Sequence, residues 1–255
     1  MNAAAIDLSI LWPALVAGLL VTATHVPLGV QVLNRGIVFI DLAIAQIAGL
    51  GVVLADWLGF ESQGWAVQVS ALIAALAGAL LLTWTEKRWP EVQEAMIGVA
   101  FILAASGALI VLAANPHGAE HLKDLLVGQI LWADSQRLLP VALVYAGILA
   151  IWFTLGGRIG RVGFYLLFAC AVTVSVQLVG LYLVFTTLIV PALATRRFRR
   201  GRIAIGYALG AAGYALGLVV STVTDWPSGP AIVLVMTALA VIVFGATARG
   251  DPHLK

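Results

Sequence analysis

Three residues in apolar surroundings carry groups able to do chemistry: His25, Asp41 and Gln46. An imidazole nitrogen, a carboxylate oxygen and an amide oxygen together suit zinc or manganese. An ionised carboxylate in hydrocarbon costs about 2.5–3.5 kcal/mol even on a lenient insertion scale, so such groups usually face a partner or a wet cavity. No spacing rule brings these three together, because His25 lies in a different apolar stretch from Asp41 and Gln46. Pairing with Arg35, contact with headgroup water and a place on a polar pathway all stay open for Asp41. For His25 the alternatives are packing as a neutral ring and a pathway role.

Two further clusters stand outside the apolar stretches. His117, Glu120 and His121 put two imidazoles four residues apart, on one face if helical. This is not the HExxH order of a zinc protease. It reads as a solvated loop or a place of transient metal capture, and it is the best set available for any enzymatic reading. Arg196, Arg197, Arg199, Arg200 and Arg202 follow Thr195 closely. Such a cluster anchors a membrane boundary, contacts a cytoplasmic partner, or does both. No GxxxxGK[ST] loop or dinucleotide fingerprint occurs, so any use of ATP requires another subunit. The single cysteine, Cys170, sits in an apolar run and allows no disulfide within one chain.

The elements that position these groups are set by the solvent. Of the 255 residues, 62% are hydrophobic and 10% charged, against about 45–50% and about 25% in soluble domains. Apolar stretches run over 8–33, 37–58, 65–84, 95–114, 138–156, 162–195, 203–224 and 229–248. Most match the roughly 20 residues that cross a bilayer as a helix, and none alternates with the period of a barrel strand. Asp7 stands where a signal peptide would be basic, so 8–33 reads as a first span rather than a targeting segment. The expected fold is an all-α polytopic membrane protein forming one transmembrane domain over 1–255.

Residues 162–195 form 34 positions without an ionisable Asp, Glu, Lys, Arg or His. One helix of that length would reach about 51 Å, so the run reads as a pass to 179, a break at Gly180 and a short or re-entrant pass near 181–194. That gives eight long spans plus the short one. Counting positive charges supports it: 12 of the 14 basic residues, including Arg35, Arg158, Arg161 and the 196–202 cluster, then share the cytoplasmic side. With a single pass there the split falls to nine against five. The loop 115–137 is then external, with a surface helix expected at 119–132.

The segment Val179–Arg197 resembles "VGxLLVxALLIIPAATAR", a stretch of the membrane subunits of bacterial zinc and manganese ABC importers, the ABC-3 family. Leu28–Arg35 is similar to that family's "LGxFVVxRR", Asp41 falls at the Asp of its "GDxLSHAxLxG", and Ile97–Phe101, Leu126–Ile130 and 224–234 match further elements in the right order. The resemblance implies a permease homodimer in the inner (plasma) membrane, two cytoplasmic ATP-binding subunits and an extracytoplasmic metal-binding protein. The cargo would be zinc or manganese, with no cofactor on this chain, no nucleic acid and no catalysis by it. Alternatives are a chelated metal or small solute as cargo, or a non-transporting membrane scaffold derived from such a permease. Two departures from the pattern matter. The family His is replaced by Ala45 or, in the other alignment, Gln46, and His25 is the residue that could compensate. The loop 156–161 is shorter than the family's coupling segment. Contact with the ATP-binding subunit is therefore expected from Arg158, Arg161, Arg196, Arg197, Arg199 and Arg200.

Overall fold

A computed structural model describes residues 8–60, 64–113, 130–132, 135–155, 158–198 and 200–249. Among them lie nine α-helices: α1 Leu8–Arg35, α2 Ile40–Trp57, α3 Trp65–Arg88, α4 Gln93–Ala113, α5 Ser135–Leu155, α6 Arg161–Val179, α7 Leu181–Ala194, α8 Arg202–Thr224 and α9 Ser228–Arg249. Eight are long and apolar enough to cross a membrane, and α7 is the shorter apolar helix.

The expected boundaries hold within a few residues, and the differences have local causes. α2 starts at Ile40 rather than 37 because Gly36, at φ 69°, ends α1 in the left-handed region, which an L side chain rarely adopts. α3 runs past the apolar residues to Lys87 and Arg88, where cations suit the negative end of the helix dipole. Trp89, at φ −139° and ψ 65°, then leaves the helical region, which a following proline disfavours, and Pro90–Val92 form a 3-10 turn into α4. Of the surface helix expected at 119–132, residues 119–129 lie outside the described residues; Ile130–Trp132 form a 3-10 turn.

Gly180 separates α6 from α7 with φ 82° and ψ 162°, a combination essentially confined to glycine. The 34-residue apolar run is thus broken where its length required. With 14 residues, α7 spans only about 21 Å, less than the hydrocarbon thickness. A helix that short is tolerable where protein covers its ends. Ten of its 14 residues are buried, and it packs on α1, α8 and α9.

The chain forms two compact units. One holds α1, the 130–132 turn, the first half of α5, and α7, α8 and α9; the other holds α2, α3, α4, the second half of α5 and α6. In the first unit α1 lies against α7 and α8, and α9 against both of these. In the second, α2 lies between α3 and α4.

Candidate functional site

In the first unit, α1 approaches its neighbours through small residues. A Cβ on Gly210 would meet Thr22 at 2.6 Å, one on Gly206 would meet Val26 at 2.8 Å, and one on Gly29 would collide with the Leu188 carbonyl of α7. Gly18 lies equally close beneath the Tyr214 ring. Residues 18, 22 and 29 recur at helical spacing, so they share one face. His25 belongs to that face and is fully buried. Its Nδ1 lies 3.1 Å from the Val21 carbonyl and 3.0 Å from Thr24 Oγ1. A carbonyl only accepts, so the proton is assigned to Nδ1 and the lone pair of a neutral ring to Nε2. Nε2 is buried without a hydrogen-bond partner among the described residues.

Nearby in this unit, Thr187 of α7 and Tyr214 of α8 share a 2.9 Å hydroxyl contact. Tyr207 donates to the Ala23 carbonyl at 3.0 Å. Both fix α1 and α7 against α8, and so fix the setting of the imidazole.

In the second unit, Asp41 occupies the first turn of α2 and is fully buried. Neither carboxylate oxygen has a hydrogen-bond partner among the described residues. Compensation comes from the N-terminal end of α2, where the backbone N–H groups of Asp41 and Leu42 lie close to the carboxylate without forming hydrogen bonds of good geometry. Gln46, half-buried on the same helix, lies five residues on. That is about 140° around and about 7.5 Å along the axis, so the two do not converge on one ion. The residue one turn above Asp41 is Ala45, also buried. His25 lies in the first unit, Asp41 and Gln46 in the second. No group of three or more His, Cys, Asp or Glu side chains forms a metal-binding cluster among the described residues.

The start of α2 is held by a residue that reading the sequence missed. Glu94, in the first turn of α4, accepts the backbone N–H of Phe39 at 3.3 Å. Phe39 is the N-cap of α2, so a carboxylate from another helix performs the task that the third residue of a capping box performs within one. The other oxygen of Glu94 is buried with no hydrogen-bond partner among the described residues. Beside it, buried Gln93 donates to the Leu82 carbonyl at 2.9 Å and accepts from Thr85 Oγ1 at 2.9 Å. Its Nε2 also lies 3.3 Å from the Tyr165 hydroxyl. One amide thus joins α3, α4 and α6. Arg161 adds an ion pair to Glu86 at 3.5 Å. A Glu directly before an apolar run is a helix-start signal, but which helix it caps depends on packing.

The six arginines of the expected coupling surface separate into groups. Arg158 and Arg200 are exposed. Arg161 is engaged with Glu86. Arg196 and Arg197 lie over the Phe244 ring, their guanidinium carbons 5.3 and 4.7 Å from its centroid. Arg199 lies outside the described residues, as do His117, Glu120 and His121.

The ABC 3 transport family model matches residues 7–158 and 154–247. The high-affinity zinc uptake system membrane protein ZnuB of Haemophilus influenzae is 26% identical over 255 aligned residues, covering 91% of this chain and 96% of its own length. A protein from the same organism, named a "probable iron transport system membrane protein", is 25% identical over 199 residues, 69% of this chain and 70% of its own. The fold is that of a chain in the solved structure of PsaBC from Streptococcus pneumoniae in complex with Fab, with TM-score 0.75, 21% identity, and coverage of 93% of this chain and 92% of that one. A family match over nearly the whole length, on a bundle with eight membrane-length helices, makes this chain a multi-pass permease subunit of the inner membrane that belongs to the ABC 3 transport family.

Proposed function

We propose that the chain is the permease of an ATP-driven importer for a divalent metal ion, zinc or manganese, and that His25 and Asp41 serve the ion's passage. The observation that carries this reading is the state of those two side chains. A fully buried carboxylate and a fully buried imidazole nitrogen each lack a hydrogen-bond partner among the described residues, and a cation would satisfy each. Leaving a buried polar group unpaired costs about 1–3 kcal/mol, more for a charge, so a fold retains one where a ligand repays it. Gln46 is a weaker neutral oxygen further along α2 and would meet the ion separately from Asp41. The zinc uptake named for the ZnuB relative supports zinc as first candidate.

Membership of the family supports three partners. A cytoplasmic ATP-binding subunit supplies the hydrolysis, an extracytoplasmic protein delivers the metal, and two copies of the permease pair. ATP does work only if the ATP-binding subunit prefers one permease conformation over the other. Arg158 and Arg200, exposed and unpaired among the described residues, are the proposed contacts, with Arg161 held against Glu86 as a support.

A second reading has one observation in its favour. Ala45 stands one turn from Asp41, so no strong second ligand sits beside the carboxylate on α2. A metal that carries its own chelator needs fewer protein ligands. Vesicles reconstituted with the permease and its ATP-binding subunit decide between the two. ATP-dependent accumulation of free radioactive zinc or manganese supports the first reading. Accumulation of a chelated metal alone supports the second, and uptake of neither leaves a scaffold role.

A further inference from the structure

We propose that Arg196 and Arg197, held over the Phe244 ring, bind the phosphate of an anionic phospholipid at the cytoplasmic end of α7 and α9. Both guanidinium carbons lie within about 6 Å of one ring centroid, the range of a cation–π contact. Two like charges are therefore held together on one support. Neither pairs with a carboxylate among the described residues, and both are exposed. Their mutual repulsion falls when an anion sits between them.

Their charge is not used to end α7. Arg202 donates to the Ala192 carbonyl at 3.2 Å, and Thr195 Oγ1 to the Pro191 carbonyl at 2.7 Å. The backbone N–H of Phe198 donates to the Thr195 carbonyl at 3.0 Å. With the Pro191 and Ala192 carbonyls met by these side chains and the Leu193 carbonyl by the Arg196 backbone N–H, the two guanidinium groups remain available.

The depth and the neighbouring surface identify the occupant as lipid. The membrane-length part of α9 is Ser228–Ala246, so Phe244 lies at its very end, at headgroup level. Leu234 and Val241 lead up to Phe244 along α9 at spacings of seven and three, one stripe of the helix. They are 58% and 66% exposed. An acyl chain lying along that stripe brings its phosphate beneath the arginines. A soluble phosphate or an acidic protein surface would match the charges and leave the stripe unused.

The test is native mass spectrometry of the purified chain released from nanodiscs containing phosphatidylcholine and phosphatidylglycerol. The wild type is expected to retain phosphatidylglycerol in preference to phosphatidylcholine. Arg196→Gln with Arg197→Gln should lower that preference about five-fold for each arginine. Phe244→Leu keeps both charges and should lower it about two- to five-fold. Arg158→Gln, a control at an arginine with no contact to the Phe244 ring among the described residues, should leave it unchanged. Equal retention by the wild type and the double variant overturns the proposal. So does complete displacement of the lipid by inorganic phosphate, which would make this a soluble-anion site. Loss of ATP-binding subunit from the double variant with lipid retention intact would assign the pair to a protein partner instead.

Discussion

In the unit built on α1, α7, α8 and α9, helices meet backbone to backbone. Gly29 faces the Leu188 carbonyl, Gly217 faces the Ile232 backbone, and Gly206, Gly210 and Gly213 receive Val26, Thr22 and Met236. The unit built on α2, α3, α4 and α6 also has close glycines, Gly51 at Ser70 and Gly78 at Ile47. It adds charged and amide ties at the ends of its helices, Gln93 to Leu82, Thr85 and Tyr165, Glu94 to Phe39, and Arg161 to Glu86, where the first unit has the Thr187–Tyr214, Tyr207–Ala23 and Arg202–Ala192 contacts beside its glycines. The two candidate pathway groups divide along the same line, His25 in the first and Asp41 in the second. Steric contact through glycine has no tolerance for added volume. Polar ties can be lost one at a time for modest cost. The first unit should therefore fail abruptly when altered, and the second by degrees.

The sharpest break should come from Gly29→Leu. Its side chain has to displace the α7 backbone, at or above the top of the roughly 1–3 kcal/mol that overpacking usually costs. The expected result is little monodisperse protein on detergent gel filtration. Gln93→Leu comes next, because it removes three hydrogen bonds at once, to Leu82, Thr85 and Tyr165, at about 0.5–1.5 kcal/mol each; Thr85 Oγ1 and the Leu82 carbonyl keep each other as partners at 3.0 Å, so the chain should still insert, with a lowered melting temperature. Glu94→Ala removes a cap and should cost about 1 kcal/mol. Its specific sign is faster hydrogen exchange at the Phe39 amide, with Glu94→Gln restoring protection. Arg161→Ala should have the smallest effect, under about 1 kcal/mol, since the arginine is half exposed. If Gly29→Leu were tolerated while Arg161→Ala unfolded the protein, the contrast between the units would be reversed.

Much of this was legible in the residues. The eight long spans follow from apolar length, and the short α7 follows from a run too long for one crossing with a glycine at its middle. Asp41 and His25 stand out because their types are costly in hydrocarbon wherever they fall. What was hidden depends on chain return. Phe244 looks like any apolar residue of α9 until packing brings it under Arg196 and Arg197. Glu94 announces the start of a helix, but nothing local says that it caps α2 as well as beginning α4. Gln93 carries no signal of the three helices it joins, and Arg161 reads as a free cytoplasmic charge until Glu86 is seen beside it.

The central claim is that buried, unpartnered groups of the bundle serve a metal ion in transit. ATP-dependent zinc and manganese uptake by vesicles containing Asp41→Asn or His25→Ala, compared with wild type at equal membrane insertion, tests it most directly. Loss of a charge-assisted contact is worth about 1.5–3 kcal/mol, so uptake by Asp41→Asn should fall about ten-fold or more, with a smaller fall for His25→Ala. Undiminished uptake by both variants would contradict the account.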